Sequence, residues 1–270
     1  MPVALTIAGS DSGGGAGIQA DIKSMQANGV FAASVITAVT AQNTLGVSAV
    51  HELPLDIITA QIDAVLSDIS VDAIKTGMLS SAGIIHAVVD ALAGVALPLV
   101  VDPVMISTSG HALLRSDAIG ALRERLLPLA TIVTPNAHEA ALLTGIKIDS
   151  LAAARAAARA LVGMGPGAAL VKGGHVGDGD EVTDVLFDGE RFVSFTAARI
   201  DTPHTHGTGC TLASAIAASL ARGHTVVEAV ERGRRYISGA IAAGLPIGGG
   251  HGPTHHFYFL EGSGLFPADT

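Results

Sequence analysis

The sequence predicts an α/β fold: one domain over residues 1–270, with a doubly wound, mostly parallel sheet that carries helices on both faces. Two observations support this prediction. Short apolar runs rich in β-branched residues alternate along the chain with amphipathic stretches of helical length. These runs are continuously apolar, which is typical of strands covered on both faces. We find no linker, charge block or repeat that would divide the chain.

Each predicted strand is a short apolar run, followed by turn residues or by a helical stretch. The first strand leads into a glycine-rich turn, and the last two flank Asp188 and Gly189, a pair typical of hairpins. The predicted strands lie at residues 3–8, 34–41, 71–75, 99–101, 131–133, 169–171, 182–187 and 191–195. The predicted helices lie at residues 18–28, 55–69, 82–92, 117–126, 137–144, 152–162, 211–221 and 226–243.

The composition favours a soluble, cytoplasmic protein. Hydrophobic residues make up 49% and charged residues 14%, a balance that excludes intrinsic disorder. The mean hydropathy of +0.51 is high enough to raise the possibility of a membrane protein. However, the apolar run at residues 91–101 contains Gly94 and Pro98 and is far shorter than the roughly 20 residues of a bilayer span. A single cysteine, Cys210, excludes a disulfide-stapled scaffold and favours a reducing compartment.

The charge balance disfavours polymeric and membrane partners. Fifteen basic residues against 24 acidic ones give a net charge of −9, so the chain lacks the basic footprint of a nucleic-acid or anionic-membrane partner. Small anionic ligands stay compatible with this charge, because backbone amides at helix starts bind them locally. The first residues have no basic region before their apolar run, and we predict no signal peptide.

Polar and glycine-rich residues follow six of the predicted strands. In doubly wound sheets, ligands bind beyond the carboxyl ends of the strands. We therefore expect one binding site at this edge, because turn chemistry alone does not explain six such ends. The six segments are Gly9-Ser-Asp-Ser-Gly-Gly-Gly, Gln42-Asn, Lys75-Thr-Gly-Met78, Asp102, Thr134-Pro-Asn-Ala-His-Glu139 and Lys172-Gly-Gly-His175.

The glycines at 15 and 17 fit the loose dinucleotide-binding pattern between a strand and a helix. That pattern requires an acidic residue roughly 20 positions later to bind the ribose. Residues 22–51 contain no Asp or Glu, so a nicotinamide dehydrogenase is disfavoured, and no Walker A loop occurs. Two interpretations remain: a tight turn, or a backbone that approaches a ligand closely, with Asp11 and Asp21 nearby.

The segment Gly207-Thr208-Gly209-Cys210 precedes an amphipathic helix pattern. Glycines at a helix start expose unpaired N–H groups, which together with the helix dipole form an anion hole. A cysteine in the first turn commonly has a lowered pKa. Cys210 is therefore a candidate base that takes a proton from a substrate hydroxyl. Because a thiolate would repel a phosphate held by the same amides, a neutral thiol that positions the hydroxyl is an alternative. A small buried residue without catalytic function is another.

Asn136 and Glu139 begin a helix after a strand. Asn is a favoured N-cap, and Glu three residues later completes a capping-box pattern. The alternative is that the pair holds a hydrated Mg²⁺, with help from Asp102 and with Lys172 screening phosphate charge. The eleven histidines do not have the spacing of a structural zinc site, and no serine-hydrolase elbow occurs.

With these residues assembled, the chain resembles the ribokinase-like superfamily, and within it the bacterial hydroxymethylpyrimidine/phosphomethylpyrimidine kinases of thiamine synthesis. The resemblance covers nearly the whole chain. It rests on long shared motifs: Gly-Gly-Ala-Gly-Ile-Gln-Ala-Asp21, Ser34-Val-Ile-Thr-Ala, Ala41-Gln-Asn-Thr, Thr134-Pro-Asn136, Val171-Lys-Gly-Gly-His175 and Thr205-His-Gly-Thr-Gly-Cys-Thr211.

The resemblance implies a role for each matching residue. Gly207, Thr208 and Gly209 supply the anion hole, and Cys210 faces the substrate hydroxymethyl as the catalytic residue. Gln42 corresponds to the glutamine that binds the pyrimidine, since a carboxamide offers a donor and an acceptor side by side. The other pocket positions are Gly9, Asp21, Thr40, Met78 and Val104. Lys172 and Asn136 are assigned to ATP, and Glu139 and Asp102 to the metal.

Four positions depart from the family pattern. Ala137 and His138 stand where Leu-Pro is usual between Asn and Glu, which weakens the metal role only slightly. His204 replaces a more usual Asn, and Gly13 stands where Ser is common. None of these changes removes a group that the chemistry needs.

The function implied is an ATP-dependent kinase that phosphorylates 4-amino-5-hydroxymethyl-2-methylpyrimidine and then its monophosphate. The cofactors are ATP and Mg²⁺, and dependence on a monovalent cation stays open. The partners are small molecules, with neither nucleic acid nor membrane, and kinases of this type are often homodimers. Two alternatives are a pyridoxine/pyridoxal kinase and a catalytically silent vitamin-binding protein on the same fold.

Overall fold

A single nine-stranded sheet runs through the computed structural model, which describes residues 1–107, 110–111, 113–115, 117–173, 179–261 and 263. The strands are β1 (Val3–Asp11), β2 (Phe31–Asn43), β3 (Gly46–Glu52), β4 (Ala73–Thr76), β5 (Leu99–Val101), β6 (Ile132–Val133), β7 (Ala168–Val171), β8 (Glu181–Phe187) and β9 (Phe192–Ala198). Their order in the sheet is β3-β2-β1-β4-β5-β6-β7-β8-β9. The six adjacent strands β2, β1, β4, β5, β6 and β7 are parallel, whereas β3, β8 and β9 pair antiparallel with their neighbours.

Helices cover both faces of this sheet. They are α1 (Gly17–Ala27), α2 (Leu55–Asp68), α3 (Ala82–Ala91), α4 (Ala118–Ala121), α5 (Ala137–Thr144), α6 (Leu151–Val162), α7 (Thr208–Ala221) and α8 (Val226–Ala242). Helix α4 continues through a π-helical turn at Leu122–Leu126 into a 3-10 turn at Leu127–Leu129, and another 3-10 turn lies at Tyr258–Leu260.

Two hydrophobic clusters hold the layers together. Helices α2 to α6 pack on one face, and α1, α7 and α8 pack on the other. Strand β1 supplies both clusters, because Leu5 and Ile7 point to the first and Ala4 to the second. The second cluster uses small residues, including Ala213 and Ala217 of α7, and these let the helix lie close to the strands.

The structure confirms the predicted doubly wound sheet and all eight predicted strands. It adds β3, which the sequence analysis missed because this edge strand is exposed and contains Ser48, His51 and Glu52 rather than a continuous apolar run. The predicted helix at 117–126 exists, but its second half is the π-helical turn. Within the described part of the chain, no helix is both long and apolar enough to cross a membrane.

Candidate active site

The carboxyl ends of the parallel strands border a cavity of about 600 Å³. This is the edge at which ligands bind in doubly wound sheets, and at which the sequence predicted a site. All but one of the predicted site residues line the cavity: Gly9, Thr40, Gln42, Met78, Asp102, Val104, Asn136, Glu139, Lys172, Gly207, Thr208, Gly209 and Cys210. Of the predicted strand-end segments, Gly174 and His175 lie outside the described residues.

Asp21 is the exception, because it lies beneath the cavity rather than in its wall. Its side chain is fully buried, and the two carboxylate oxygens accept hydrogen bonds from Lys75 Nζ at 2.9 and 2.8 Å. Thr6 Oγ1 donates at 2.6 Å and Ser214 Oγ at 2.7 Å. We therefore revise its predicted role from contact with the substrate to support of Lys75, which itself lines the cavity.

The start of α7 has the geometry of an anion site. Gly207 adopts a left-handed conformation with φ of 79°, and a Cβ here would overlap the carbonyl oxygen of Gly15, so only glycine is accommodated. The N–H of Thr208 donates to the carbonyl of Thr205 at 3.2 Å. The N–H groups of Gly209 and Cys210 belong to the first turn, where intrahelical acceptors do not exist. They can donate to an anion in the cavity, and binding of an anion here stays a prediction.

The thiol of Cys210 has a different character from the one predicted. Burial raises its pKa to about 12, and the nearby charge of Lys75 opposes this effect without overcoming it. The prediction of a lowered pKa was wrong, because the loss of solvation outweighs the helix start and the N–H of Gly17 that donates to the sulfur. The thiol is therefore neutral near pH 7, which favours the alternative in which it positions a hydroxyl.

Lys172 and Asp102 form a partly satisfied ion pair beside Gly209. Lys172 Nζ lies 3.3 Å from Asp102 Oδ1. Asp102 Oδ2 is buried and has no hydrogen-bond partner in the described part of the chain. Burial alone would lower the pKa of Lys172, but Asp102 and Glu139 raise it, so the lysine stays a cation. A buried carboxylate oxygen without a donor is costly, and a bound cation would compensate it.

Asn136 and Glu139 form the capping box that the sequence indicated. The N–H of Glu139 donates to Asn136 Oδ1 at 2.9 Å, and the N–H of Asn136 donates to Glu139 Oε2 at 2.8 Å. Burial raises the pKa of Glu139 to about 7, with Lys172 opposing and Asp102 adding to the shift. The described residues contain no group of three His, Cys, Asp or Glu side chains suited to a metal. One or two carboxylates do suit a Mg²⁺ that keeps most of its water ligands.

One end of the cavity presents an amide above apolar side chains. Gly9 leaves room for Met78, since a Cβ on Gly9 would lie 2.9 Å from Met78 Sδ. Thr40 Oγ1 donates to Gln42 Oε1 at 3.1 Å, and Gln42 Nε2 lies 3.5 Å from His206 Nε2.

Asp11 lies behind His206, and the sequence analysis noted it only as a neighbour of the glycine turn. His206 Nε2 is 2.9 Å from Asp11 Oδ2. The backbone N–H groups of Gly13, Gly15 and Ala16 also donate to this carboxylate. The turn, His206 and Gln42 are thus joined in one hydrogen-bonded network.

The opposite end of the cavity was not predicted. Its wall comes from the β8–β9 hairpin and from α8, and it includes Val182, Ala198, Ile200, Ile237 and Ile241. Arg234 of α8 pairs with Asp184 of β8, and Asp184 also accepts the N–H of Gly173 at 2.7 Å. No sequence signal marks these residues, because each fits the ordinary pattern of its own strand or helix.

Comparison with known proteins gives consistent results. A family model described as phosphomethylpyrimidine kinase matches residues 11–255. A hydroxymethylpyrimidine/phosphomethylpyrimidine kinase of Rhizobium meliloti is 55% identical over 260 residues, which cover 95% of this chain and 97% of the relative.

Solved structures support the same assignment. An ADP complex of Bacillus subtilis pyridoxal kinase has a TM-score of 0.89 at 37% identity, covering 96% of this chain and 98% of that one. A phosphomethylpyrimidine kinase of Clostridium difficile has a TM-score of 0.80 at 46% identity, covering 89% of this chain and 100% of that one. The ribokinase-like fold predicted from the sequence is thereby confirmed.

Proposed function

The chain belongs to the phosphomethylpyrimidine kinase family, and from this we propose that it phosphorylates 4-amino-5-hydroxymethyl-2-methylpyrimidine and then the resulting monophosphate. ATP is the proposed phosphoryl donor and thiamine biosynthesis the proposed role. One observation carries the proposal: the anion site at the start of α7 lies in one cavity with the amide of Gln42 and the Lys172–Asp102 pair.

Gln42 and Met78 suit the acceptor. The amide offers a donor and an acceptor side by side, which complement the ring nitrogen and the amino group of a 4-aminopyrimidine. Met78 supplies a polarisable apolar surface for the ring. Gln42 and Cys210 line the same cavity, so the hydroxymethyl group of a ring held in this way would share that cavity with the thiol.

Phosphoryl transfer needs positioning and charge neutralisation more than covalent help from the protein. The N–H groups of Gly209 and Cys210 and the cation of Lys172 would neutralise the transferred group. Mg²⁺ fits beside Asp102 and Glu139, since Asp102 Oδ2 has no donor among the described residues. When bound, the ion supplies positive charge to the phosphates.

Cys210 has a different task in each of the two steps. The first acceptor is an alcohol, whose proton must leave during the transfer. The neutral thiol is placed to orient the hydroxyl and would take its proton while giving its own S–H proton to an oxygen of the transferred phosphoryl group. The second acceptor is a phosphate monoester, which is mostly ionised at pH 7 because its second pKa is about 6. The second step therefore needs no base.

The apolar end of the cavity suits the base of the nucleotide. The side chains of Val182, Ile200, Ile237 and Ile241 can pack against a planar ring. The similar Bacillus subtilis pyridoxal kinase was solved as an ADP complex, which supports a nucleotide as the second ligand. The polar centre of the cavity would then hold the phosphates.

A pyridoxal kinase is the second candidate, because the chain is structurally similar to the Bacillus subtilis pyridoxal kinase over 96% of its length. A pyridine ring has one ring nitrogen and no adjacent amino group, so it uses the amide of Gln42 incompletely. We therefore expect kcat/KM to be higher for the aminopyrimidine than for pyridoxal or pyridoxine.

Product analysis tests the proposal most directly. The protein is incubated with ATP, Mg²⁺ and, separately, the aminopyrimidine, its monophosphate, pyridoxal and pyridoxine, and the products are identified by chromatography and mass spectrometry. We expect a monophosphate and then a diphosphate from the aminopyrimidine. Accumulation of monophosphate without diphosphate would exclude the second step, and release of no ADP with any acceptor would support a silent binding protein.

We also propose a cytoplasmic homodimer. The lone cysteine suits a reducing compartment. The exposed edge strand β3 and its surroundings present Val39, Leu45, Val50, Leu55 and Ile57 to solvent. Exposed apolar side chains beside a sheet edge favour pairing with another chain. Analytical ultracentrifugation measures the mass directly, and a monomer at micromolar concentration would contradict this proposal.

A further inference from the structure

We propose that residues 248–254, which we call the strap, position Gln42 relative to the start of α7 and thereby set where the hydroxymethyl group of the acceptor lies. The strap follows α8 and has the sequence Gly-Gly-Gly-His-Gly-Pro-Thr. The structure describes all seven of its residues, and none of them lines the cavity. They are positioning residues, because they act on the substrate through Gln42. The inference rests on the proposed function, which pairs the pyrimidine with Gln42.

The end of β2 needs support from outside the sheet. Strand β2 pairs with β1 only as far as Thr40, which lies opposite Asp11, so beyond this point its neighbour in the described sheet is the exposed edge strand β3. The register between β2 and β3 also shifts between Ala41 and Gln42, and Ser48 of β3 is the extra residue. Such a bulge locally disrupts the hydrogen-bond ladder. The position of Gln42 therefore depends on further contacts.

Ser12 and the strap supply these contacts. The hydroxyl of Ser12 accepts from the N–H of Gln42 at 2.8 Å and donates to the carbonyl of Gln42 at 2.6 Å. The strap binds the turn that follows. The N–H of His251 donates to the carbonyl of Thr44 at 3.1 Å, and the N–H of Gly250 donates to Thr44 Oγ1 at 3.2 Å. Both the backbone and the side chain of Thr44 are thus held by the strap.

Two glycines allow the strap to approach Thr44 this closely. A Cβ on Gly250 would overlap the carbonyl oxygen of Thr44, and a Cβ on Gly248 would overlap its Oγ1. Gly248 also has a φ of 79°, in the left-handed region that favours glycine. Gly249 differs, because a Cβ there would meet its nearest neighbour, Leu45 Cδ2, at 3.9 Å, an ordinary van der Waals distance. The contact with Thr44 therefore requires Gly248 and Gly250 but not Gly249.

The other end of the strap is bonded to the residue that precedes α7. The N–H of His206 donates to the carbonyl of Gly252 at 3.1 Å, and the N–H of Thr254 donates to the carbonyl of His206 at 3.3 Å. His206 is followed by Gly207, the N-cap of α7. The strap is thus attached on both sides of the acceptor end of the cavity.

These two attachments are made by consecutive residues. His251 binds Thr44, and Gly252 binds His206. Because consecutive Cα atoms are about 3.8 Å apart, the strap holds the two backbones at a nearly fixed separation. A displacement of Thr44 would carry Gln42 away from the start of α7. Misplacement of a reacting group by about 1 Å can lower a rate by about 100-fold, so this separation matters for transfer to the acceptor.

A change in the strap should move the Gln42 side of the cavity rather than α7. Residues 211–220 of α7 are all buried, so the helix is held by packing along most of its length. Thr44 lies instead in the short turn between Asn43 and Gly46, next to Leu45, which is 70% exposed. We therefore expect binding of the acceptor to weaken while binding of the nucleotide is preserved.

The test compares Gly250→Ala with its matched control Gly249→Ala in the full-length protein. Neither glycine has a positive φ, so the two changes differ in their contact with Thr44 rather than in backbone strain. Gly250→Ala should raise the KM of the aminopyrimidine by about tenfold or more and change the KM of ATP by less than about twofold. Gly249→Ala should leave both KM values unchanged.

Thr44→Val keeps the test decisive where Gly250→Ala folds poorly. It preserves the shape of the side chain but removes the acceptor of the Gly250 N–H, so the KM of the aminopyrimidine should rise by about threefold. Thr44→Ser keeps the hydroxyl and should keep the natural KM. Dissociation constants of the aminopyrimidine and of ADP, each measured by calorimetry, should show the same separation between acceptor and nucleotide.

Three outcomes decide between the inference and the proposed function. An unchanged KM of the aminopyrimidine in both Gly250→Ala and Thr44→Val would overturn this inference and leave the proposed function intact. Equal weakening of aminopyrimidine and ADP binding would also overturn it, because the strap would then only stabilise the fold. Failure of the natural protein to phosphorylate the aminopyrimidine would instead overturn the proposed function.

Discussion

Two lysine–aspartate pairs border the start of α7, and they differ in how fully their hydrogen bonds are satisfied. Lys75 and Asp21 are both completely buried and 2.8 Å apart, and Asp21 also accepts from Thr6 and Ser214. Burial alone would lower the pKa of Lys75, but the charge of Asp21 raises it well above its usual value. This pair is charged and has its partners within the protein.

The hydrogen bonds of the second pair, Lys172 and Asp102, are only partly satisfied. Lys172 and Asp102 are 3.3 Å apart, and the lysine side chain is 15% exposed to the cavity. Asp102 Oδ2 has no donor among the described residues. The difference separates two uses of buried charge: Lys75–Asp21 joins β4, α1 and α7, whereas Lys172–Asp102 keeps charges available for a ligand. The following changes should affect the two pairs differently.

Lys75→Met should have the largest effect on stability. Removal of one partner leaves the buried charge of Asp21 without a counter-charge, and such losses typically lower the free energy of unfolding by about 3–5 kcal/mol. Urea denaturation followed by circular dichroism measures the change.

Two further variants control this measurement. The double variant Lys75→Met/Asp21→Asn removes both charges and should recover much of the loss. Arg125→Met breaks a pair whose side chains are 48% and 68% exposed, and its stability should stay close to that of the natural protein. Equal losses in Lys75→Met and Arg125→Met would contradict the role given to the buried pair.

In contrast to Lys75→Met, we expect Lys172→Met to lower activity more than stability. The lysine contacts a partly satisfied carboxylate, so we expect a smaller loss of unfolding free energy than in Lys75→Met. Its charge faces the transferred group, and loss of one such group typically lowers kcat by about 10²–10³-fold. Steady-state kinetics with Mg²⁺ and ATP measure the effect. A stability loss as large as that of Lys75→Met, with kcat unchanged, would show that both pairs serve to stabilise the fold.

This contrast could not be predicted from sequence, although much of the site could. The motifs identified Cys210, Gln42 and Lys172, because strand ends in a doubly wound sheet must meet at one edge. Asp21 was assigned to the substrate pocket, since no local pattern shows that Lys75, 54 residues later, covers its carboxylate. The pKa of Cys210 was predicted in the wrong direction, because desolvation depends on every element packed around the thiol and not on its position in a helix.

Cys210 lies between the two pairs, and Cys210→Ala should separate the two proposed steps. Phosphorylation of the alcohol should slow by about 100-fold, because removal of a positioned acid–base group typically costs 10²–10⁴-fold. Phosphorylation of the monophosphate should slow by less than about tenfold, because that acceptor is mostly ionised already. Separate assays with each acceptor measure the two rates. Equal slowing of both steps would show that Cys210 acts on the shared phosphoryl group rather than on the acceptor.

The smallest expected effect is a pH dependence around the second pair. Burial raises the pKa of Glu139 from 4.5 to about 7. Between these values the folded protein keeps a proton that the unfolded chain has released, so the free energy of unfolding should fall as pH rises through this window.

Glu139→Gln isolates this dependence. The variant has no proton to lose, so the stability difference between natural protein and variant should change by about 2 kcal/mol between pH 5 and pH 7.5, measured with EDTA. Added Mg²⁺ should reduce the change, since a cation beside Asp102 favours the ionised glutamate. An identical pH profile in both proteins would mean that Glu139 is already ionised throughout this range. The charges around Lys172 and Asp102 would then be compensated as fully as those of Lys75 and Asp21.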